Sequence, residues 1–115
     1  MLSESVLRVH VGGPATMLAQ LRRLADVAER PNITLQVLPF SAGAHASMDS
    51  AFWILSFDPP TDGEVVYFEH PTCSLYLEKP DEVARYRLVY EHLRAASLSL
   101  DDSRRLIARS AEDLA

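Results

Sequence analysis

A mixed α/β fold is what this sequence predicts: a small mixed sheet of about five strands with three helices packed on it, in the order β-α-β-β-β-β-α-α. Three observations carry the prediction. Apolar residues recur at every second position in some stretches and at helical spacing in others. Pro14 and Pro80 each stand where a helical pattern begins, a position at which the missing N–H costs nothing. The run Asp58-Pro59-Pro60-Thr61-Asp62-Gly63 is a strong turn signal between two β-prone stretches.

Val6, Leu7, Val9 and Val11 open the chain among polar residues, and a short strand is expected near Ser5 to Val9, although Leu7 falls out of step with the valines. Gly12-Gly13-Pro14 breaks it. From Pro14 to Glu29 the spacing is helical, with Met17, Leu21, Leu24 and Ala28 on one stripe and Leu18 and Ala25 beside it. Arg30-Pro31-Asn32 turns the chain into Ile33-Thr34-Leu35-Gln36-Val37-Leu38, apolar at alternate positions until Pro39 ends it. If this strand and the first lie parallel, the segment from Ser5 to Leu38 is a right-handed βαβ unit.

Ser41 to Ser50 reads as a loop. Ala51 to Phe57 resumes as a strand apolar on both faces, which predicts a central position. Across the Pro/Gly turn, Glu64 to Glu69 forms the second arm of an antiparallel hairpin. His70 to Cys73 turns again, and Ser74 to Glu78 is a shorter third strand. The helix opened by Pro80 has Asp81 and Glu82 in its first turn, favourable to the helix dipole, and a stripe of Val83, Tyr86, Tyr90 and Leu93 with Val89 alongside. Ser99-Leu100-Asp101-Asp102 resembles a capping box before a last helix that turns Leu106, Ile107 and Leu114 inward.

The chain's 115 residues make one domain, 1–115, without repeats, low-complexity tracts or a linker. A net charge of -5 weighs against a segment that grips a polyanion, because nucleic-acid affinity needs a basic face. No run of about 18 or more apolar residues is present, so no membrane span is expected. The N-terminus lacks the pattern of a signal peptide, and a cytoplasmic location is the default. The single cysteine, Cys73, has no internal partner for a disulfide and is expected to be a buried or half-buried structural thiol rather than a nucleophile. His10, His45, His70 and His92 are scattered without metal-site spacing, so neither a metal nor another cofactor is implied. Glu64, Glu69 and Glu78 read as solvated strand ends, with Glu69 the one that closes a strongly apolar strand and faces the 41–50 loop if it has a role. There is no phosphate-binding glycine loop and no serine elbow, and no residue is assigned a catalytic role.

The stretch that draws attention is the strand end and loop at Pro39, Phe40, Gly43 and His45. Loops after a strand's end carry function disproportionately. Two readings stand side by side. The segment is a well-packed turn, or Phe40 and His45 line a cleft with Phe52, Tyr67, Glu69 and Tyr76. Aromatic side chains around one acidic group suit a partner segment with an apolar anchor and a basic residue.

Val11-Gly12-Gly13-Pro14, Gln20-Leu21-Arg22-Arg23-Leu24, the run from Arg30 to His45, Val65 to Glu69 and Leu98 to Ser103 together resemble the C-terminal domain of actinobacterial WhiJ-like, antitoxin-like regulators with an Xre-type helix-turn-helix. The resemblance covers Glu4 to about Ala111. It implies a non-enzymatic sensing or partner-binding domain, without established catalytic residues, from which the N-terminal DNA-binding domain is missing. It also implies a small BldB-like protein as partner, with homodimerisation of the regulator as the alternative. The element order is loosely similar to a phospholipase-D-like scaffold as well. That chemistry needs His-x-Lys, and the only lysine is Lys79, so a hydrolase is the least favoured alternative.

Overall fold

In a computed structural model of the chain, described over residues 1–43, 51–57 and 63–115 with His70 described by its backbone alone, the mixed α/β class holds. The strands divide between two sheets rather than one. The chain forms two compact units, one of residues 1–43 and 96–115, the other of residues 44–95.

The first unit is built on the helices α2 (Pro14–Ala28) and α4 (Leu100–Leu114), with the strands β1 (Leu2–Ser3) and β2 (Val37–Leu38) and the single-turn helix α1 (Ser5–Arg8). Gly13 stands just before α2 at φ 89°, a left-handed conformation that suits glycine, and Pro14 then opens the helix as its sequence position foretold. The α2 stripe works as read: Met17, Leu21 and Ala28 are buried, and Leu24 and Ala25 pack partly buried beside them. Ile107 of α4 meets this stripe, with Leu7 and Val37 completing a core to which Leu106 and Leu114 add their flanks. Arg104 Nη2 donates to the Ala28 carbonyl at 2.9 Å, satisfying one of the acceptors that α2 leaves open at its C-terminus. Ser99 caps α4 by accepting the Asp102 N–H at 3.1 Å.

Two expectations fail here. Ser5 to Val9 is not a strand; Ser5–Arg8 is a helical turn, and the strand is Leu2–Ser3. Leu7, the residue out of step with the valine alternation, is the one of this stretch that is buried, while Val6 and Val9 are exposed. The ladder after α2 is also shorter than Ile33–Leu38, covering Val37 and Leu38 only. It pairs parallel with β1, Leu2 opposite Val37 and Ser3 opposite Leu38. On its other side Val37 meets no strand. Its N–H donates to Ser103 Oγ and its carbonyl accepts the Leu98 N–H, both at 2.9 Å. Gln36 Nε2 adds a bond to the Leu98 carbonyl at 3.0 Å. A helix residue and a loop thus close this edge, as the accounting of buried backbone groups requires.

The second unit is an antiparallel sheet of β3 (Trp53–Ser56), β4 (Glu64–His70) and β5 (Cys73–Leu77), with α3 (Pro80–Ala96) supplying its helix. The hairpin between β3 and β4 pairs Trp53 with Tyr67 and Ser56 with Glu64; β4 and β5 pair Tyr67 with Tyr76 and His70 with Cys73. Among the described residues β3 lies at an edge of the sheet rather than in the central position expected from its apolar faces, and β4 is central. Val66 and Phe68 of β4 are buried together with Val83 of α3, and Phe52, Ile54, Leu77 and Tyr86 pack around them. Phe68 and Phe52 each meet the Tyr86 ring edge-on, at 4.9 and 5.4 Å between centroids, a geometry that aligns ring edges with ring faces.

Candidate interaction surface

β4 alternates strictly, so its two faces carry different chemistry. Val66 and Phe68 point into the core with α3, while Val65, Tyr67 and Glu69 fall on the opposite face. Register then aligns an aromatic residue of each strand on that second face. Trp53 of β3 stands opposite Tyr67, and Tyr67 opposite Tyr76 of β5. The rings contact in sequence, with centroids 5.4 Å apart for Trp53–Tyr67 and 4.9 Å for Tyr67–Tyr76. Trp53 and Tyr76 remain 46% and 60% exposed, so the row is a surface and not a core. Leu55, two residues beyond Trp53, is also exposed.

Glu69 sits two residues from Tyr67 on the same face, opposite Ser74. The Tyr67 hydroxyl hydrogen-bonds with Ser74 and with Glu69. Its phenol is held above the ordinary value of 10.0 first by desolvation and then by the neighbouring charges of Glu69 and Tyr76, with the Ser74 bond pulling the other way. None of the ion pairs among the described residues includes Glu69. The face therefore offers three aromatic rings and one carboxylate without a basic counterpart, an arrangement that attracts a cation to the π-faces and the carboxylate together.

The other face has its own polar site. Glu64 accepts from Arg87 Nε at 2.9 Å and from Ser56 Oγ at 2.6 Å, and Arg87 Nη2 also reaches Glu64 Oε2. Glu64 is thus paired, not a solvated strand end. Among the described residues no group of His, Cys, Asp and Glu is arranged to hold a metal ion.

The residues expected to form one cleft are distributed differently. Tyr67, Glu69 and Tyr76 come together as described. Phe52 does not join them; it packs on Phe68 and Tyr86 behind the sheet, because its odd–even position is opposite to that of Trp53. Pro39, Phe40 and Gly43 belong to the first unit, where Phe40–Ala42 is a single 3-10 turn ending at Gly43 with φ 70°. The Phe40 N–H donates to Glu4 Oε1 at 2.9 Å and its ring is 58% exposed. His45 lies outside the described residues. Cys73 is exposed, which corrects the expectation of a buried or half-buried thiol. Trp53 was readable in the sequence as a strand residue but not as a site residue; the missing signal was its pairing with Tyr67, which depends on the length of the intervening turn.

A family model described as a domain of unknown function, DUF5753, matches residues 1–109, and the chain belongs to that family. Neither a curated protein nor a solved structure matches it. No helix of the described residues is long and apolar enough to cross a membrane.

Proposed function

We propose that this DUF5753 domain is a non-enzymatic, partner-binding module of an antitoxin-like transcriptional regulator, and that its partner docks on the Trp53–Tyr67–Tyr76 face of the sheet. One observation carries the reading: three aromatic rings contact in a row, Trp53 and Tyr76 exposed and Tyr67 half-buried between them, beside Glu69, which has no ion pair among the described residues. Aromatic residues of this kind dominate the energetics of protein interfaces, and a flanking carboxylate selects for a basic neighbour to the apolar anchor. A small BldB-like protein is the partner that the likeness to WhiJ-like regulators suggests.

The test is the mass in solution of the purified chain, alone and mixed with a BldB-like protein encoded next to a gene of this type. A stable mixed complex that is lost in a Tyr76→Ala variant supports the reading. Absence of a complex, or a complex indifferent to Trp53, Tyr67 and Tyr76, overturns it.

A further inference from the structure

By strand alternation, Leu55, Val65 and Ser74 share the open face of the sheet with the aromatic row and Glu69. Among the described residues Glu69 is therefore the one charged group that the three strands place there. The charge around it is biased the same way. Residues 44–95 hold nine acidic and four basic side chains, a balance of -5 that accounts for the whole net charge, so residues 1–43 and 96–115 are neutral as a set. Two of the four cations are already taken, Arg87 by Glu64 and Arg94 by Glu91. Glu69, Asp81 and Glu82 enter none of the ion pairs among the described residues. The negative potential of this unit draws cations, and its aromatic face has no cation of its own to compete with them.

The rings select the kind of cation. Tyr67 sits half-buried between Trp53 and Tyr76, and both neighbours expose ring surface. Ring faces attract cations, and a planar, weakly hydrated guanidinium stacks on them more readily than a strongly hydrated ammonium. Glu69 is the diagonal cross-strand neighbour of Tyr76, within reach of a long side chain lying on that ring. The Tyr67 hydroxyl hydrogen-bonds with Glu69 and holds the carboxylate beside the row. We propose that the occupant of this face is an arginine-bearing segment of a partner protein, its guanidinium stacked on Tyr76 and facing Glu69 at the rim. This rests on the partner-binding reading above and adds the residue type that the partner must present. An acidic residue at that place meets repulsion, and a neutral one forgoes both attractions. A second copy of the chain is the poorer occupant, because two units of charge -5 repel each other.

Trp53 is the only tryptophan of the chain, so its fluorescence reports on this face. The experiment titrates the intact chain with a blocked peptide, glycine–leucine–arginine–leucine–glycine, and with versions in which lysine, glutamate or citrulline, the neutral isostere of arginine, replaces the arginine. The arginine peptide is expected to change the Trp53 signal saturably and to bind at least about threefold tighter than the citrulline peptide, with lysine between them and glutamate weakest. Glu69→Gln cuts that preference at least about twofold by slowing association, and Tyr76→Ala abolishes it. Asp81→Asn removes the same charge from α3, which packs behind the sheet, and leaves the preference unchanged. The inference is overturned by an arginine peptide without a saturable signal, by equal binding of the arginine and citrulline peptides, by tighter binding of lysine, or by a preference that survives Tyr76→Ala. It falls too if the Trp53 signal depends on chain concentration without peptide, which makes a second copy the occupant. The partner reading keeps its own readout: a mixed complex that forms although the peptides do not discriminate leaves that reading standing and removes only the arginine.

Discussion

Val37 and Ser103 lie 66 positions apart in the chain, yet the Val37 N–H donates to Ser103 Oγ at 2.9 Å in a site where both residues are fully buried. One hydroxyl thus substitutes for the neighbouring strand that β2 lacks. Removing it leaves a buried donor with no acceptor, which costs its full desolvation. Ser103→Ala is expected to lower the unfolding free energy by about 1–3 kcal/mol, read from the denaturation midpoint at unchanged m-value. A change below about 0.5 kcal/mol would mean that water reaches the site and that the bond is incidental.

Leu21 is fully buried where α2 meets α4, while Leu88 on α3 is 59% exposed. Leu21→Ala leaves a cavity and is expected to destabilise by about 2–5 kcal/mol. Leu88→Ala should stay within about 0.5 kcal/mol. Chemical denaturation of both variants checks the contrast; equal losses would contradict the assignment of the α2 stripe as core.

For the partner-binding face, Trp53→Ala, Tyr67→Ala and Tyr76→Ala are each expected to weaken binding of the BldB-like protein by more than about 1 kcal/mol, with the melting transition retained. Titration calorimetry on the mixed complex measures this. If only Phe40→Ala weakens binding, the surface in use is the 3-10 turn of the first unit and not the sheet. Glu69→Gln should act on the association rate and its salt dependence more than on dissociation, as rim charges do.

Tyr67 gives a pH signature. Desolvation, then Glu69 and Tyr76, raise its folded-state pKa above 10.0. The folded protein therefore holds this proton more tightly than the unfolded chain does. The associated stability is fully present below the unfolded value and is lost as pH rises through the folded one. Tyrosine absorbance near the alkaline limit should show one phenol titrating late, and Glu69→Gln should bring it part of the way back. A late phenol indifferent to Glu69→Gln would remove Glu69 as a cause and leave desolvation and Tyr76.

What the sequence determined by itself is the set of elements whose signals are local. Pro14 and the Met17–Leu21–Leu24–Ala28 spacing specify α2; Pro80 and Val83 specify the start of α3; Ser99 and Asp102 cap α4; the alternation of Val66 and Phe68 with Val65 and Tyr67 specifies β4. Each rests on residues within about a turn or two of one another, where backbone sterics and side-chain period act without help from the rest of the chain.

Tertiary structure decided the rest. Apolar residues on both faces of β3 read as a central strand, but the pairing order that makes it an edge is a non-local property. Ile33–Leu38 alternates like a strand, and only Val37–Leu38 finds a ladder, because the partner β1 spans two residues and Ser103 and Leu98 take the other side. Ser5–Arg8 is a helical turn that places Leu7 in the core with Ile107 of α4, a long-range contact that the valine alternation does not encode. The candidate site shows the same division. The residue types at Tyr67, Glu69 and Tyr76 could be picked out by eye, whereas the exclusion of Phe52 and the inclusion of Trp53 turn on a one-residue difference in register, which sends each side chain to the opposite face of the sheet.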